Sequence, residues 1–408
     1  MRARNRSAAT NPGKRTHVEA SEAARLLGIS RASLYVYVSR GLVRSVPDPS
    51  NGKSCLYATA DIRDLQARKK LARRPRVAAA TALDHGLPVL QTSIMRIEGN
   101  HCYYRSMEAV AFSRQATLED AARLLWATPA DDDPFTGMQF DPGRIAGWQA
   151  SARMSSTWRA TDRAMLLLSL VAPLEARRFG RPGPEAFRDA ARVVAALAAA
   201  LSGSSSPITG PIHRAVSVAW HRPKAADVVR RALVLLADHE LNASAFAVRV
   251  VASTGTSLTG STLSGLAAMS GPRHGGATES LRSLLGEIET VGDAGRVVEE
   301  RLGRGETIPG FGKSVYRDQD PRGVELASAV KLDRTMTSLL RCARALTGEG
   351  PNVDFGLLAV ERAHDLPAGA ALALFALGRS VGWIAHAFEQ RASGKLIRPR
   401  AEFVPEPS

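Results

Sequence analysis

Apolar residues recur at helical spacing along most of this chain. Clear examples are TLEDAARLLWAT, FRDAARVVAALAAALS, ADVVRRALVLLADHELNASAFAVRVVAST and AALALFALGRSVGWIAHAFEQRA. Many of these stretches are apolar on more than one face, which is typical of helices buried inside a large all-α protein. Alternating, β-branched residues on both sides of Glu98-Gly99-Asn100 predict one small hairpin before this helical region. The pattern therefore predicts a mostly α fold.

A separate pattern precedes this region, in residues 16–67. Two short helical stretches, SEAARLLG and SRASLYVYVS, are joined by a turn at Gly28-Ile29. The polar stretch VPDPSNGKSCLY predicts a hairpin, and a third helix is expected to begin at Thr59. The residues expected to point inward from the first two helices are Ala23, Ala24, Leu27, Leu34 and Val38. This spacing predicts a small winged helix-turn-helix module.

The module resembles the DNA-binding domain of MerR-type regulators. The resemblance lies in EAARLLGIS, a tyrosine-rich second helix, RGLV, and a tyrosine before the third helix. It implies DNA contacts from Arg31, Ser33, Tyr35, Tyr37 and Arg40. A helix-turn-helix that serves protein contact or oligomerisation is the alternative interpretation, because a fold does not by itself establish a function.

Charge is concentrated at the amino-terminal end. Residues 1–76 hold 17 Lys and Arg against 5 Asp and Glu, a net charge of +12, whereas the rest holds 37 against 34. This asymmetry predicts a disordered basic tail over 1–15 and a helix-turn-helix domain over 16–76, joined to a nearly neutral body. A basic module can follow nucleic-acid phosphates, although a solvated charged face has the same composition.

The three cysteines are scattered and form neither a metal-binding spacing nor a disulfide framework. We therefore expect a reduced, cytoplasmic protein without a metal site. The basic amino terminus is not followed by the apolar segment of a secretory signal. We also expect no membrane-spanning segment, since no apolar run is expected to reach the length needed to cross a membrane.

Polar clusters interrupt the apolar helical pattern at four places: LLADHELNAS, MSGPRHGGATES, IPGFGKSVYRDQDPRG and GEGPNVDFG. A carboxylate suits a general base, and a neutral histidine before a helix start suits the polarisation of a carbonyl group. Fixed arginines, including those in GRSVGWIAH and IRPR, suit a small polycarboxylate, which they can bind in a bidentate manner. This inventory fits enolate formation followed by carbon–carbon bond formation.

Six motifs, namely DHELNAS, GPRHGG, GFGxxVYRxxDPR, PNVDF, GRSVGWIAH and RPR, occur in the order that the citrate synthase family has. From roughly Leu87 to Arg400 the body therefore resembles citrate synthase. The resemblance implies a helical homodimer that shares its active sites between subunits. Each subunit would have a large domain (77–274 and 378–408) and a small domain (275–377) that close over substrate. It also implies condensation of oxaloacetate with acetyl-CoA, as co-substrate and without a tightly bound cofactor, to give citrate and CoA.

The resemblance also implies a role for each matching residue. Asp354 would remove a proton from the acetyl methyl group, and His274 would hydrogen-bond the thioester oxygen. The implied ligands are His239, Arg322 and Arg379 for oxaloacetate, Arg398 from the other subunit, and Arg317 near the CoA phosphates. Taken alone, His239 and Asp354 are more typical of helix caps.

One position departs from the family. Lys313 stands where the family has the histidine that polarises the ketone of oxaloacetate. An ammonium can supply that charge, but on a more flexible stem. Three outcomes stay open: a working synthase with Lys313 as electrophile, a synthase for another keto acid, or a ligand-binding protein. The alternative functions are a DNA-binding regulator that senses oxaloacetate or a CoA ester, and a 2-methylcitrate synthase that uses propionyl-CoA.

Overall fold

The computed structural model of the protein describes residues 17–39, 43–49, 51–72, 90–170, 180–312, 315–401 and 403. Contacts between residues divide the chain into two compact units, Met1–Gln91 and Thr92–Ser408. This division lies beyond the predicted domain end at Arg76, and each unit has a hydrophobic core of its own.

The first unit combines a three-stranded antiparallel sheet with three helices. Gly28 ends the first helix with a left-handed φ of 60°, where its N–H binds the carbonyl oxygens of Ala24 and Arg25. Ser30 caps the second helix, since its Oγ accepts a hydrogen bond of 3.1 Å from Ser33 N. In chain order the elements are β1 His17–Glu19, α1 Ala20–Leu27, α2 Arg31–Ser39, β2 Ser45–Asp48, β3 Asn51–Ala58 and α3 Thr59–Ala72. The strand order is β1–β3–β2, and the core contains Ala23, Ala24, Leu27, Leu34, Val43, Tyr57 and Ile62.

The second unit begins with the predicted hairpin and is otherwise helical. Strands β4 Met95–Glu98 and β5 His101–Tyr104 pair through a turn at Gly99, whose φ is 65°. A short strand β6, Met107–Glu108, adds to the same sheet. The helices are α4 Ala109–Ser113, α5 Leu118–Trp126, α6 Pro142–Met154, α7 Ala160–Leu170, α8 Pro184–Ser202, α9 Ile212–Ala219, α10 Ala226–Leu235, α11 Ala243–Ala252, α12 Leu258–Met269, α13 Ala277–Val291, α14 Ala294–Gly303, α15 Pro321–Ser328, α16 Arg334–Thr347, α17 Val353–Ala363 and α18 Ala370–Ser393, with a 3-10 turn at Pro223–Ala225.

Two hydrophobic cores lie within the second unit. The larger is built around α18, and the smaller is formed by residues between Leu281 and Ala359. Helix α17 belongs to both, because Leu357 faces the larger core and Leu358 the smaller one. The smaller core lies wholly inside the predicted small-domain range 275–377. The predicted boundary at 377/378 falls inside α18, so the exact domain limits stay a prediction.

Helix α18 contradicts the expectation that no apolar stretch is long enough to span a membrane. Among the described residues, Ala370–Ser393 alone is long and apolar enough to cross a membrane. Its most apolar window is 94% buried inside the protein, as expected for the central helix of a helical core.

Candidate active site

A break between α10 and α11 places the first site histidine. The break coincides with the polar cluster LLADHELNAS: the chain leaves the helix after Leu235, and Glu240 adopts a φ of 53°. Asn242 starts α11 by accepting a 3.0 Å hydrogen bond from Ala245 N. His239 lies inside this break, and its Nε2 is 3.1 Å from the hydroxyl of Tyr316. Burial, and then the charges of Arg322 and Arg379, hold the pKa of His239 well below its usual value, so its imidazole is neutral.

His274 lies in the turn that leads into α13. A side chain at Gly275 would place its Cβ 2.3 Å from the carbonyl oxygen of Met269, so this close turn requires glycine. The Nε2 of His274 is 2.9 Å from Ser244 Oγ, which also accepts a 3.1 Å hydrogen bond from Trp383 Nε1. Burial and the charge of Arg379 lower the pKa of His274, which favours the neutral imidazole.

Arg322 lies in the first turn of α15 and is 4% exposed. Asp320 caps this helix and holds the guanidinium with two hydrogen bonds, Nε to Oδ1 at 3.0 Å and Nη2 to Oδ2 at 2.8 Å. The remaining nitrogen, Nη1, is buried without a hydrogen-bond partner among the described residues. One nitrogen of a firmly held guanidinium is therefore left for a ligand.

Arg379 lies in the middle of α18 and is 1% exposed. Its Nε donates a 3.0 Å hydrogen bond to the carbonyl oxygen of Leu236, at the break where His239 lies. Both Nη atoms are buried and have no hydrogen-bond partner within the described part of the chain. Burial lowers the pKa of Arg379 to about 10, so the guanidinium is still charged at neutral pH.

Asp354 occupies the first turn of α17, which Asn352 caps. Its Oδ1 is buried, and no described residue gives it a hydrogen bond. Burial raises the pKa of Asp354 to about 6, against the opposing charge of Arg322 and with a smaller contribution from Asp320. A carboxylate with this pKa is mostly ionised at neutral pH and is more basic than an ordinary aspartate, as a general base requires.

These groups interact electrostatically with one another. Arg322 acts on Arg379, on His239 and on Asp354, and Arg379 acts on both histidines. Three guanidinium nitrogens are thus buried without partners beside neutral imidazoles. Because a buried donor without a hydrogen-bond partner is costly, such an arrangement favours binding of a small anion with more than one carboxylate.

Two other predicted site residues are not among these buried groups. Arg317 and Arg398 are exposed, and the backbone N–H of Arg317 donates a 3.0 Å hydrogen bond to the carbonyl oxygen of Gly99. Lys313 lies outside the described residues. The roles assigned to all these positions stay predictions.

Among the predicted DNA-facing residues, the side chains of Arg31 and Tyr35 are exposed, and Ser33 and Tyr37 are half-buried. Arg40 lies outside the described residues.

Four residues beside the cluster were not predicted from the sequence: Ser244, Tyr316, Asp320 and Phe375. Asp320, directly before the Pro321-Arg322 step, carries the signal of an N-cap and was open to detection. Phe375 packs edge-on against His274, with ring centroids 6.3 Å apart, and it lies under Arg379. No local pattern marks it within an apolar helix.

Among the described residues, no cluster of three or more His, Cys, Asp or Glu is arranged to hold a metal ion.

Comparison with known proteins gives a consistent result. The family model "Citrate synthase, C-terminal domain" matches residues 82–400. "Putative citrate synthase 2" of Mycobacterium tuberculosis is 38% identical over 194 residues, which cover 45% of this chain and 52% of that protein. The chain thus spans about half the length of this relative. The "Citrate/2-methylcitrate synthase" of Bacillus subtilis is 27% identical over 310 residues, which cover 73% of this chain and 80% of that protein.

A solved structure has the same fold. It is the citrate synthase of Thermoplasma acidophilum, described as a ternary complex with carboxymethyl coenzyme A and oxaloacetate. Its TM-score is 0.66 at 22% identity, covering 80% of this chain and 97% of that one. At this identity the likeness establishes the mostly helical fold and no more. The family model, which covers well over half of the chain, decides the assignment: this chain belongs to the citrate synthase family.

Proposed function

We propose that this protein condenses acetyl-CoA with oxaloacetate to give citrate and CoA. The observation that carries the proposal is the set of three unpartnered, buried guanidinium nitrogens on Arg322 and Arg379. Oxaloacetate brings two carboxylates, which can accept hydrogen bonds from these nitrogens. The family membership of the chain and the raised pKa of Asp354 support the same conclusion.

The reaction needs a base and a hydrogen-bond donor on opposite sides of the acetyl group. Asp354 takes a proton from the methyl carbon, and His274 donates a hydrogen bond to the thioester oxygen, where negative charge develops. The enol carbon then attacks the ketone carbon of oxaloacetate, and the new alkoxide takes up a proton. Water cleaves the resulting thioester, so that CoA leaves as a thiol.

The hydrogen bonds of Ser244 bear on which nitrogen of His274 donates. The Ser244 hydroxyl has one proton and two nearby acceptors, Asn242 Oδ1 at 2.8 Å and His274 Nε2 at 2.9 Å. When Ser244 donates to Nε2, the neutral imidazole carries its proton on Nδ1, which can then donate to the thioester oxygen. The hydrogen bond from Trp383 occupies an acceptor site of Ser244 and leaves its proton for Asn242 Oδ1 or His274 Nε2. Donation to Nε2 is the arrangement that the proposed reaction requires.

Release of CoA thiol from purified protein tests this function. The assay uses acetyl-CoA with and without oxaloacetate, and propionyl-CoA in parallel, because the B. subtilis relative is named for both citrate and 2-methylcitrate synthesis. Oxaloacetate-dependent thiol release from acetyl-CoA is the expected result. Faster release from propionyl-CoA would instead favour 2-methylcitrate synthesis. Tight oxaloacetate binding without thiol release would favour a sensor.

We propose that Lys313 polarises the ketone in place of the family's histidine. Lys313→Ala should then lower turnover more than oxaloacetate affinity, because the ammonium interacts most strongly with the developing alkoxide. Lys313→His should match or exceed the parent rate. Rates and affinities are measured in the thiol assay and by calorimetry. Parent-like turnover of Lys313→Ala would mean that another group polarises the ketone. An inactive parent that gains activity in Lys313→His would indicate a decayed synthase.

We propose further that the chain works in the cytoplasm as a homodimer, in which Arg398 serves the site of the other subunit. The exposure of Arg398 supports this proposal, since its side chain is open to a partner. Sedimentation gives the oligomeric state. Mixing Arg398→Ala chains with inactive Asp354→Asn chains tests whether Arg398 completes the active site of the other subunit. Recovery of activity in the mixed dimers would support this role of Arg398, and no recovery would contradict it.

A second role, DNA binding by residues 16–76 as a MerR-like module, is proposed on a different observation. The amino-terminal region is strongly basic, and α2 presents the exposed side chains of Arg31 and Tyr35 next to the turn that follows α1. Affinity for duplex DNA should fall steeply with added salt, since cationic side chains release counterions from the phosphates.

Deletion of residues 1–76 should abolish this DNA binding and leave the citrate synthase fold intact. Gel-shift and filter-binding titrations at several salt concentrations measure the effect, with Arg192→Ala on the body as a control. Equal DNA affinity of the full and shortened chains would reject the module as the DNA reader.

A further inference from the structure

We infer that Tyr316 is a positioning residue that holds His239 as the tautomer with its proton on Nδ1, so that the imidazole donates a hydrogen bond to the bound dicarboxylate. This inference rests on the proposed function, because it assumes that oxaloacetate lies against His239. It concerns a residue outside the set of ligands that the sequence motifs indicate.

The geometry puts the tyrosine hydroxyl directly on one nitrogen of His239. Tyr316 is 3% exposed, its Oη lies 3.1 Å from His239 Nε2, and the two ring centroids are 5.6 Å apart with the planes inclined by 50°. This contact occupies Nε2. The other ring nitrogen, Nδ1, is on the opposite side of the imidazole, and the Tyr316 contact is the hydrogen bond found for this ring among the described residues.

The number of protons on His239 and Tyr316 limits how the two groups can share a hydrogen bond. Burial and the surrounding cations lower the pKa of His239, so its imidazole carries a single proton. Burial also raises the pKa of the Tyr316 hydroxyl above its usual value, so the phenol keeps its own proton. Either Tyr316 donates to Nε2, or Nε2–H donates to Tyr316. Only the first leaves a proton on Nδ1.

Two neighbours bear on which group donates. The guanidinium carbon of Arg322 lies 5.7 Å from the centre of the Tyr316 ring, and a cation near a phenol makes its O–H a stronger donor. The buried thiol of Cys102 interacts with the same hydroxyl, and burial raises the pKa of this thiol to about 11, so it stays protonated. Because a thiol sulfur is a weaker hydrogen-bond acceptor than an imidazole nitrogen, the phenolic proton is directed to His239 rather than to Cys102.

The chemistry of the ligand favours the same tautomer of His239. A carboxylate or ketone oxygen only accepts hydrogen bonds, so an imidazole with a bare Nδ1 would repel it. Between Arg322 and Arg379, His239 thus adds a neutral donor to two cationic ones. The hydroxyl of Tyr316 selects this donor state before the ligand arrives, as partners of metal-bound histidines do when they hold the ring and its tautomer.

The tautomer can be measured directly. In full-length protein labelled with ¹⁵N-histidine, two-bond ¹H–¹⁵N spectra at neutral pH distinguish protonated from bare ring nitrogens, and His239→Gln assigns the signal. The inference expects the proton on Nδ1 in the parent, and a shift toward Nε2–H in Tyr316→Phe. The dissociation constant for oxaloacetate, measured by calorimetry, should rise about tenfold in Tyr316→Phe, the size of effect seen when such an orienting partner is removed. Tyr103→Phe is the matched control: it lies on the same strand as Cys102, on the opposite face, beside Arg96.

A parent signal with the proton on Nε2 would overturn the inference without any variant. An unchanged tautomer and an unchanged dissociation constant in Tyr316→Phe would also overturn it. Because neither readout needs turnover, they separate this inference from the proposed condensation. A parent that binds oxaloacetate with the Nδ1–H tautomer but releases no thiol would contradict the proposed activity and still support the role of Tyr316.

Discussion

Replacement of Asp354 by asparagine is expected to lower the condensation rate by roughly a hundredfold to ten-thousandfold, the usual loss when a positioned base is removed. Asparagine keeps the shape of the side chain, but its amide does not accept the methyl proton. Oxaloacetate affinity should change little, because Asp354 acts on the other substrate. The thiol-release assay measures the rate, and calorimetry measures oxaloacetate binding.

The control for this variant is Asp162→Asn, a change at another acidic residue in the first turn of a helix, where Asp162 pairs with Arg159 on the surface. It should keep the parent rate. Near-parent turnover of Asp354→Asn would remove Asp354 from the mechanism.

The same variant should be more stable than the parent at neutral pH. The pKa of Asp354 is about 6 in the fold, against an ordinary value of 3.8, so the folded state binds more protons between these two values. Stability contributed by this residue therefore falls as pH rises from 4 to 6, by about 3 kcal/mol, since one pKa unit corresponds to about 1.4 kcal/mol. Asparagine has no charge to desolvate. Urea titrations at pH 4 and pH 7 should show a gain for Asp354→Asn over the parent at pH 7 only.

Replacement of Arg379 by methionine is expected to weaken oxaloacetate binding by roughly a hundredfold or more. Loss of one partner from a buried, hydrogen-bonded charge pair typically costs about 2–5 kcal/mol, and each 1.4 kcal/mol is tenfold in affinity. Both Nη atoms of Arg379 lack partners among the described residues, so these hydrogen bonds are available to the ligand. Methionine retains most of the apolar stem and packs within α18.

Arg163→Met is the matched control. The Arg163 guanidinium binds the carbonyl oxygens of Ala200 and Leu201 at the end of α8. Its loss should therefore lower the free energy of unfolding and leave oxaloacetate affinity unchanged. Calorimetry and urea titration measure the two quantities on each variant. A folded Arg379→Met protein with parent affinity would show that the dicarboxylate binds elsewhere.

Several features were open to prediction because they depend on near neighbours in the chain. The hairpin at Gly99 follows from alternating side chains around a turn residue that tolerates positive φ, and the observed pairing of Glu98 with His101 agrees. The turn at Gly28 between α1 and α2 is predictable for the same reason. Helices such as α5 and α8 have a clear 3.6-residue pattern and recognisable caps. The order of six polar motifs was enough to indicate the citrate synthase family.

The polar cluster LLADHELNAS indicated an interruption near His239, but not the conformation of the chain there. Gly382 explains part of that conformation, because a side chain there would collide with Ala237 O and Asp238. These residues are far apart in sequence, so only packing brings the close approach about. The helical pattern of α18 was recognised, but its apolar length was underestimated, since Ala370–Ser393 is long and apolar enough to cross a membrane.

The amino-acid sequence by itself determined which residues carry charge, hydrogen-bond donors and helical or turn preferences, because these properties belong to a residue and its immediate neighbours. The tertiary structure alone decided what those residues can do. It buries Asp354 and so raises its pKa, and it leaves the Nη atoms of Arg379 without partners in the described chain. It also brings Tyr316 to His239 across 77 positions. Acidity, tautomer and charge pairing depend on solvent exclusion and on neighbours in space, and folding sets both.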